Sequence, residues 1–419
     1  MGLPGWLASL ELRHAKAIDL GLERVGQVWQ RLGVRPVFPI VTVGGTNGKG
    51  SVCAYLEAML IEAGYRVGCY TSPHILRFSE RIRVAGRELA DEAIVEALDA
   101  VEAVRGDISL TYFEHTTLAA MWLFQRRGID VAVLEVGLGG RLDAVNQFDA
   151  DCAVVTPVDL DHMDYLGSDR ESIGHEKAGI FRPGRPAICA DPEPPASLPG
   201  HARGIGARLL RLGHEFRVER GATDWLCRVE GRVYPALPLP GMSGEHQFGN
   251  AAAAIAALDA LRERLPATVA AIRSGLARAR MPGRFQVVGK APLRILDVAH
   301  NPHAARALAA SLAAVPGGGR RLAVFAMLAD KDADGVIEHL AGVIDHWFLA
   351  GLEGQRGRPV AALAELFAAR GLPHTACPDV GTAWRTACQE AGPADTIAAF
   401  GSFHTVAEVM ALIPDNQDG

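Results

Sequence analysis

The chain has 419 residues, 49% of them apolar and 21% charged, which is enough to build two or three packed domains and excludes a largely disordered chain. The net charge is −6 with both signs scattered and no basic tract, so nucleic acid is not expected as a partner, and anionic ligands must be held by local positive sites. Seven cysteines without a CxxC pair, no apolar run near the roughly 20 residues of a membrane span, and no basic and apolar leader after Met1 lead us to expect a cytoplasmic protein with no membrane attachment.

Short apolar runs alternate with helical patterns along most of the chain. Strands are expected over 38–43, 65–70, 131–136, 152–158 and 186–190, the rhythm of a mostly parallel sheet covered by helices. Between 209 and 239 the pattern turns to Gly, Pro and short alternating runs, which predicts antiparallel hairpins in a small edge sheet. Helices follow over 247–263 and 267–279. Met281, Pro282, Gly283 and Arg284 then punctuate the chain, and alternation restarts with strands at 293–298, 322–327, 346–350 and 396–400. The expected fold is therefore α/β in two domains. Residues 1–285 form a P-loop-type, mostly parallel sheet flanked by helices, and residues 286–419 a smaller Rossmann-like α/β domain. Ligand sites in such sheets lie at the carboxyl ends of the strands, and clefts between domains are also favoured.

The first apolar run is followed at once by Gly44-Gly45-Thr46-Asn47-Gly48-Lys49-Gly50-Ser51, and a helical pattern begins at Val52. Strand, glycine-rich loop and helix form the context of a phosphate-binding loop. Glycines let backbone N–H groups converge on an anion, the helix N-terminus adds partial positive charge, and Lys49 adds a full one. Ser51 can offer a hydroxyl to magnesium. The loop departs from the usual pattern twice: Val43 stands where the first Gly is expected, and Gly50 separates Lys49 from Ser51. A lysine between two glycines at a helix start has little structural use, which favours a phosphate site over a bare turn.

Other polar groups end other strands. Glu135 closes an apolar run ahead of glycines, where a carboxylate is costly unless it meets a cation or several donors. It either ligates magnesium or pairs with a cation such as Arg141. Asp159, Asp161, His162 and Asp164 follow the next strand and look like a metal or phosphate neighbourhood. Lys177 beside carboxylates can form a simple ion pair. The hydroxyls of Thr71 and Ser72 either bind metal or cap a turn. In the second domain Asp297 can accept from a ribose or a cationic side chain and His300 can touch phosphate, while Asn301 is placed to cap a helix starting at Pro302.

Taken together, these segments resemble the folylpolyglutamate synthase/dihydrofolate synthase family of the Mur ligase superfamily. The likeness runs over nearly the whole chain: residues 18–25, 45–51, 71–74, 135–146, 162–167, 176–181, 246–250, 281–284, 297–303 and 401–405. No one segment is specific, but their order and spacing are. The resemblance implies ATP-dependent joining of a pterin-linked carboxylate to the amine of L-glutamate, through an acyl phosphate and a tetrahedral intermediate. It implies ATP contacts at Asn47, Gly48, Lys49, Gly50, Ser51, Asn250, Arg284 and Asp297, with His300 beside them as a catalytic candidate. Magnesium, expected as two ions, falls to Ser51 or Ser72, Glu135, His162 and Lys177, the last matching a lysine that carbon dioxide carbamylates. Ile18, Asp19, Thr111, Tyr112, Phe113, Glu114, Leu142, Asp143 and Ala144 match the dihydropteroate region, where Phe113 can supply a stacking surface. That match favours a bifunctional enzyme using both dihydropteroate and reduced folates. Closure of the two domains would align the substrates and exclude water. A cell-wall Mur ligase is disfavoured because only 43 residues precede Gly44, too few for a nucleotide-sugar domain. A regulatory module with slow ATP hydrolysis is the rival from another class. A monomer is expected, since no exposed heptad appears.

Overall fold

The computed structural model describes residues 1–14, 16, 18–221, 223–354 and 356–413. It divides into two compact units, residues 1–241 with 247–280, and residues 242–246 with 281–419. Among the described residues no helix is long and apolar enough to cross a membrane.

In the first unit eight strands form one sheet, in the order Arg87–Glu88, Ile82–Val84, Val67–Tyr70, Val131–Glu135, Ile40–Gly44, Cys152–Val155, Pro186–Cys189 and Arg208–Arg211. Ile82–Val84 pairs antiparallel with both of its neighbours and all the other pairings are parallel. Ile40–Gly44 and Val131–Glu135 are buried at every position, which is why they read as unbroken apolar runs: helices cover both faces of a parallel sheet. Trp6, Val28, Leu98, Leu118, Phe124 and Phe148 belong to the core on one side. Three antiparallel strands, Phe216–Arg220, Trp225–Val229 and Arg232–Leu237, make a small sheet of their own, while Arg208–Arg211 joins the main sheet in parallel.

Helix packing fixes the phosphate-loop helix, Lys49–Glu62. Its neighbour Val269–Arg278 comes so close that a Cβ on Gly275 would lie 2.5 Å from the Met59 backbone. Only the missing side chain allows that approach, which holds the helix at one depth against the sheet.

The second unit carries a six-stranded sheet in the order Gln286–Lys290, Leu293–Leu296, Thr396–Phe400, Arg321–Phe325, His346–Leu349 and His374–Ala376, with Gln286–Lys290 antiparallel and the remainder parallel. Phe325, Trp347, Phe367 and Phe400 form its aromatic core, with ring centroids 4.9–6.1 Å apart in tilted and edge contacts.

Candidate active site

Register places the polar groups of the first unit side by side. Val43 pairs with Glu135, Gly44 with Val155, and Tyr70 with Leu134, so the segments leaving these strands emerge together at the carboxyl edge of the sheet. That is where the topology of such sheets puts a ligand.

The loop between Ile40–Gly44 and Lys49–Glu62 is pinned from the neighbouring strand end. Thr46 N–H donates to the Pro157 carbonyl at 3.0 Å, and its hydroxyl lies 3.0 Å from both the Asp159 carbonyl and the Asp159 N–H. Gly45 has φ +136°, and a Cβ there would fall 1.8 Å from Thr156 Oγ1, so no other residue fits. Gly48 opens the helix in the left-handed region at φ 95° and presents no side chain over the first turn. A Cβ on it would meet Asn250 Oδ1 at 2.7 Å, which puts Asn250 directly against the loop. Helix N–H groups without side-chain caps, beside a lysine, make an anion site.

Two lysines converge here. Lys49 Nζ donates to the carbonyls of Gly45 and Thr46, both at 3.2 Å, and Lys177 Nζ donates to the same Gly45 carbonyl at 2.9 Å. Lys177 is buried, on helix Arg170–Ala178. Desolvation, with Lys49 adding repulsion, draws its pKa down to about 7 against the opposing pull of Asp161 and Asp143.

Glu135 is buried, and its Oε2 accepts the Ser72 backbone N–H at 3.1 Å. The pairing with Arg141 considered from sequence is not formed, because Arg141 binds Glu176 at 2.7 Å. Ser51 accepts a hydrogen bond from Gln247 Nε2 at 3.3 Å, and the Gln247 carbonyl oxygen accepts from Asn250 at 3.2 Å. His162 has φ 52° and stands at the start of the short helix Met163–Leu166, with Nε2 3.9 Å from Asp161. Asp159 and Asp161 each accept the next residue's N–H, and among the described residues no three His, Cys, Asp or Glu side chains are grouped to hold a metal ion. The remaining set of hydroxyls, one buried carboxylate and one imidazole still fits magnesium, which keeps several waters and takes other ligands from phosphate.

The residues matched to the pterin region adjoin this edge. Thr111 and Glu114 form a reciprocal cap on helix Tyr112–Arg127. Arg24 ties Glu114 (3.0 Å) to Asp19 (2.8 Å). Ile18 lies next to Asp19 outside any helix or strand, and Gly21 N–H donates to the Leu142 carbonyl at 3.2 Å. Asp143 accepts from Leu138 and Val145, and burial pushes its pKa up to about 6; Ala144 beside it is buried. Phe113 fills the space over Gly137, where a Cβ would meet its ring at 2.6 Å, and lies 5.9 Å from the Tyr70 ring. Tyr112 stacks edge-on with Phe78, and Arg81 covers both rings. These rings form an aromatic cluster of edge-on and tilted contacts beside the polar strand ends.

In the second unit, Asp297 is capped by the N–H groups of Phe285 and Ala299, each at 2.8 Å; burial raises its pKa and Arg284 opposes that rise. Arg284 lies 5.9 Å from the Phe403 ring, and the His300 ring is also 5.9 Å from it. Asn301 caps helix Pro302–Ala313, as its place in the sequence suggests. Asp297, Arg284 and His300 are thus brought to one edge of this sheet.

Sequence reasoning singled out neither Thr46, Thr156 nor Gln247. Gln247 stands within the 246–250 segment, but nothing local shows that it reaches Ser51, 196 positions away.

Comparison with known proteins agrees with this arrangement. The family model of the Mur ligase middle domain matches residues 43–258, and that of the Mur ligase glutamate ligase domain matches residues 283–403. The dihydrofolate synthase/folylpolyglutamate synthase of Escherichia coli K12 is 49% identical, over 100% of this chain and 97% of its own length. The structure of E. coli FolC in complex with DHPP and ADP superposes with a TM-score of 0.95 at 48% identity, covering 100% of this chain and 99% of that one. The bifunctional enzyme of Yersinia pestis, complexed with AMPPNP and a manganese ion, gives 0.93 at 48% identity, with 98% of each chain covered.

Proposed function

The chain belongs to the dihydrofolate synthase/folylpolyglutamate synthase family of Mur ligases, and from that membership we propose the work of its individual residues. The reaction is ATP-dependent ligation of L-glutamate to 7,8-dihydropteroate, giving dihydrofolate, and to reduced folates, giving folylpolyglutamates, with release of ADP and phosphate. A carboxylate is a poor electrophile. Its oxygen therefore attacks the γ-phosphorus of ATP, ADP leaves, and the acyl phosphate is formed. The glutamate amine then adds to the acyl carbon, loses a proton, and phosphate departs.

The observation that carries this reading is the Gly45–Thr156 contact, which holds the loop so that the uncapped helix N-terminus and Lys49 face one point. Phosphoryl transfer needs chiefly alignment and charge neutralisation. Lys49, the amides of residues 47–51 and Asn250 supply these for the phosphates; in the second unit Arg284, Asp297 and His300 are the groups offered to the nucleotide. Divalent cations, two in this reading, neutralise phosphate charge when bound, and Ser51, Ser72, Glu135 and His162 are the residues to hold them. Lys177 supports the second cation as a carbamate: the neutral amine adds to the carbon of carbon dioxide, an N–C bond forms, one proton leaves, and a group of charge +1 or 0 becomes −1. A lysine whose ammonium is already weakened by burial suits that step. Residues 18–19, 111–114 and 142–144, with Phe113 stacking, take the pterin. The enzyme is proposed to act as a cytoplasmic monomer.

Acceptor-dependent ADP release tests this reading against a regulatory ATPase. ADP should form rapidly only with a pteroate-type acid and L-glutamate together, and Lys49→Ala should abolish it without unfolding the protein. An ADP rate indifferent to both acceptors, or normal turnover in Lys49→Ala, would remove the proposal.

A further inference from the structure

Arg83 lies outside every group assigned above. It stands on the strand Ile82–Val84, paired on both sides, with its side chain only 17% exposed. Every N–H of its fork has an acceptor. Nε lies 3.2 and 3.1 Å from the two oxygens of Glu57, and Nη2 donates to Glu57 at 2.8 Å and to Cys69 Sγ at 3.2 Å. Nη1 donates to Thr71 Oγ1 at 3.1 Å and to the Glu80 carbonyl at 2.6 Å.

These acceptors come from two places that matter. Glu57 is buried on the phosphate-loop helix Lys49–Glu62, about two turns beyond Lys49. Thr71 is the residue before Ser72, whose N–H rests on Glu135. Thr71 N–H is itself held by the Arg81 carbonyl at 2.9 Å. One guanidinium therefore clamps the helix that carries Ser51 to the segment that carries Ser72. An ion pair kept only for stability could be replaced by apolar groups of the same shape. The bonds from Nη1 are what such a replacement would lose, and the one to Thr71 Oγ1 reaches the Ser72 segment.

We propose that Arg83 is a positioning residue: through Thr71 it fixes the Ser72 segment against the helix Lys49–Glu62, and so sets the spacing of the Ser51 and Ser72 oxygens toward a nucleotide-bound divalent cation. This rests on the reading of Ser72 and Glu135 as cation ligands. Lysine cannot replace the planar fork, because its ammonium offers one point of charge.

The test is direct manganese binding, with free Mn2+ followed by electron paramagnetic resonance in the presence of a non-hydrolysable ATP analogue. The proteins are the parent, Arg83→Lys, Thr71→Val, the double variant and Glu135→Gln, each checked by thermal unfolding. Arg83→Lys and Thr71→Val should each raise the Mn2+ dissociation constant about tenfold, the range seen when a group supporting a ligand is removed. The double variant should exceed Arg83→Lys by no more than about twofold, because the Arg83–Thr71 bond that Thr71→Val removes is already lost in Arg83→Lys. An unchanged constant in Thr71→Val, or multiplied effects in the double, overturns the proposal if Glu135→Gln does weaken binding. An unchanged constant in Glu135→Gln removes the cation reading itself. If Arg83→Lys does not fold, Thr71→Val decides alone.

Discussion

At Lys177 the environment acts against the charge: burial and the neighbouring Lys49 outweigh Asp161 and Asp143, and the pKa falls to about 7. The proposed carbamate would replace a disfavoured ammonium beside Lys49 with an anion. Lys177→Ala should therefore be nearly inactive, and a short carboxylic acid should partly restore turnover by standing in for the lost carboxylate. Activity measured across a series of acetate concentrations checks this, and no recovery at any concentration would count against a carbamate. Much of the site was legible residue by residue, since glycines and a lysine between a strand and a helix have few structural uses. The supports were not. Thr156 is the reason Gly45 must be glycine, and it stands in another strand's exit. Arg83 was not singled out from sequence, and its partner Glu57 is 26 positions away. Asp159 and Asp161 each accept the next residue's N–H, a local use that their spacing does not reveal.

Among elements, central strands were legible because a parallel sheet covered on both faces needs unbroken apolar runs. Their ends were less so: Val136 and Val158 are buried yet lie beyond the ladders, in the site loops. The peripheral strands Ile82–Val84, Arg87–Glu88, Gln286–Lys290 and His374–Ala376 are short and partly exposed, and neighbours rather than composition define them. Helix Tyr112–Arg127 carries a further consequence. It places His115 in the core, with Nε2 3.1 Å from the Leu98 carbonyl and the ring 5.8 Å from Trp6. Burial lowers its pKa from 6.5 to about 4. Between those values the unfolded chain takes up a proton that the folded one refuses, so stability is lost as pH falls from 6.5 toward 4, by roughly 3 kcal/mol at most from this group. Thermal midpoints measured from pH 7 to 4 should fall, and His115→Gln should shrink the fall. An equal fall in the variant would assign the acid sensitivity elsewhere.

For the whole molecule, the alternation of apolar runs with helical patterns indicated two α/β layers, and the structure carries a mostly parallel sheet in each unit. The small antiparallel sheet was signalled by its Gly and Pro content, whereas the attachment of Arg208–Arg211 to the main sheet was not, since four residues carry no directional signal. The central claim is that one chain adds glutamate to both a pteroate and a folate. Mass spectrometry of products, from purified protein with ATP, magnesium and L-glutamate, tests it in two tubes, one with dihydropteroate and one with a reduced monoglutamyl folate. The account predicts the gain of one glutamyl unit in both. Product with the folate alone would contradict the dihydropteroate assignment of residues 18–19, 111–114 and 142–144, and product in neither would contradict the ligase reading.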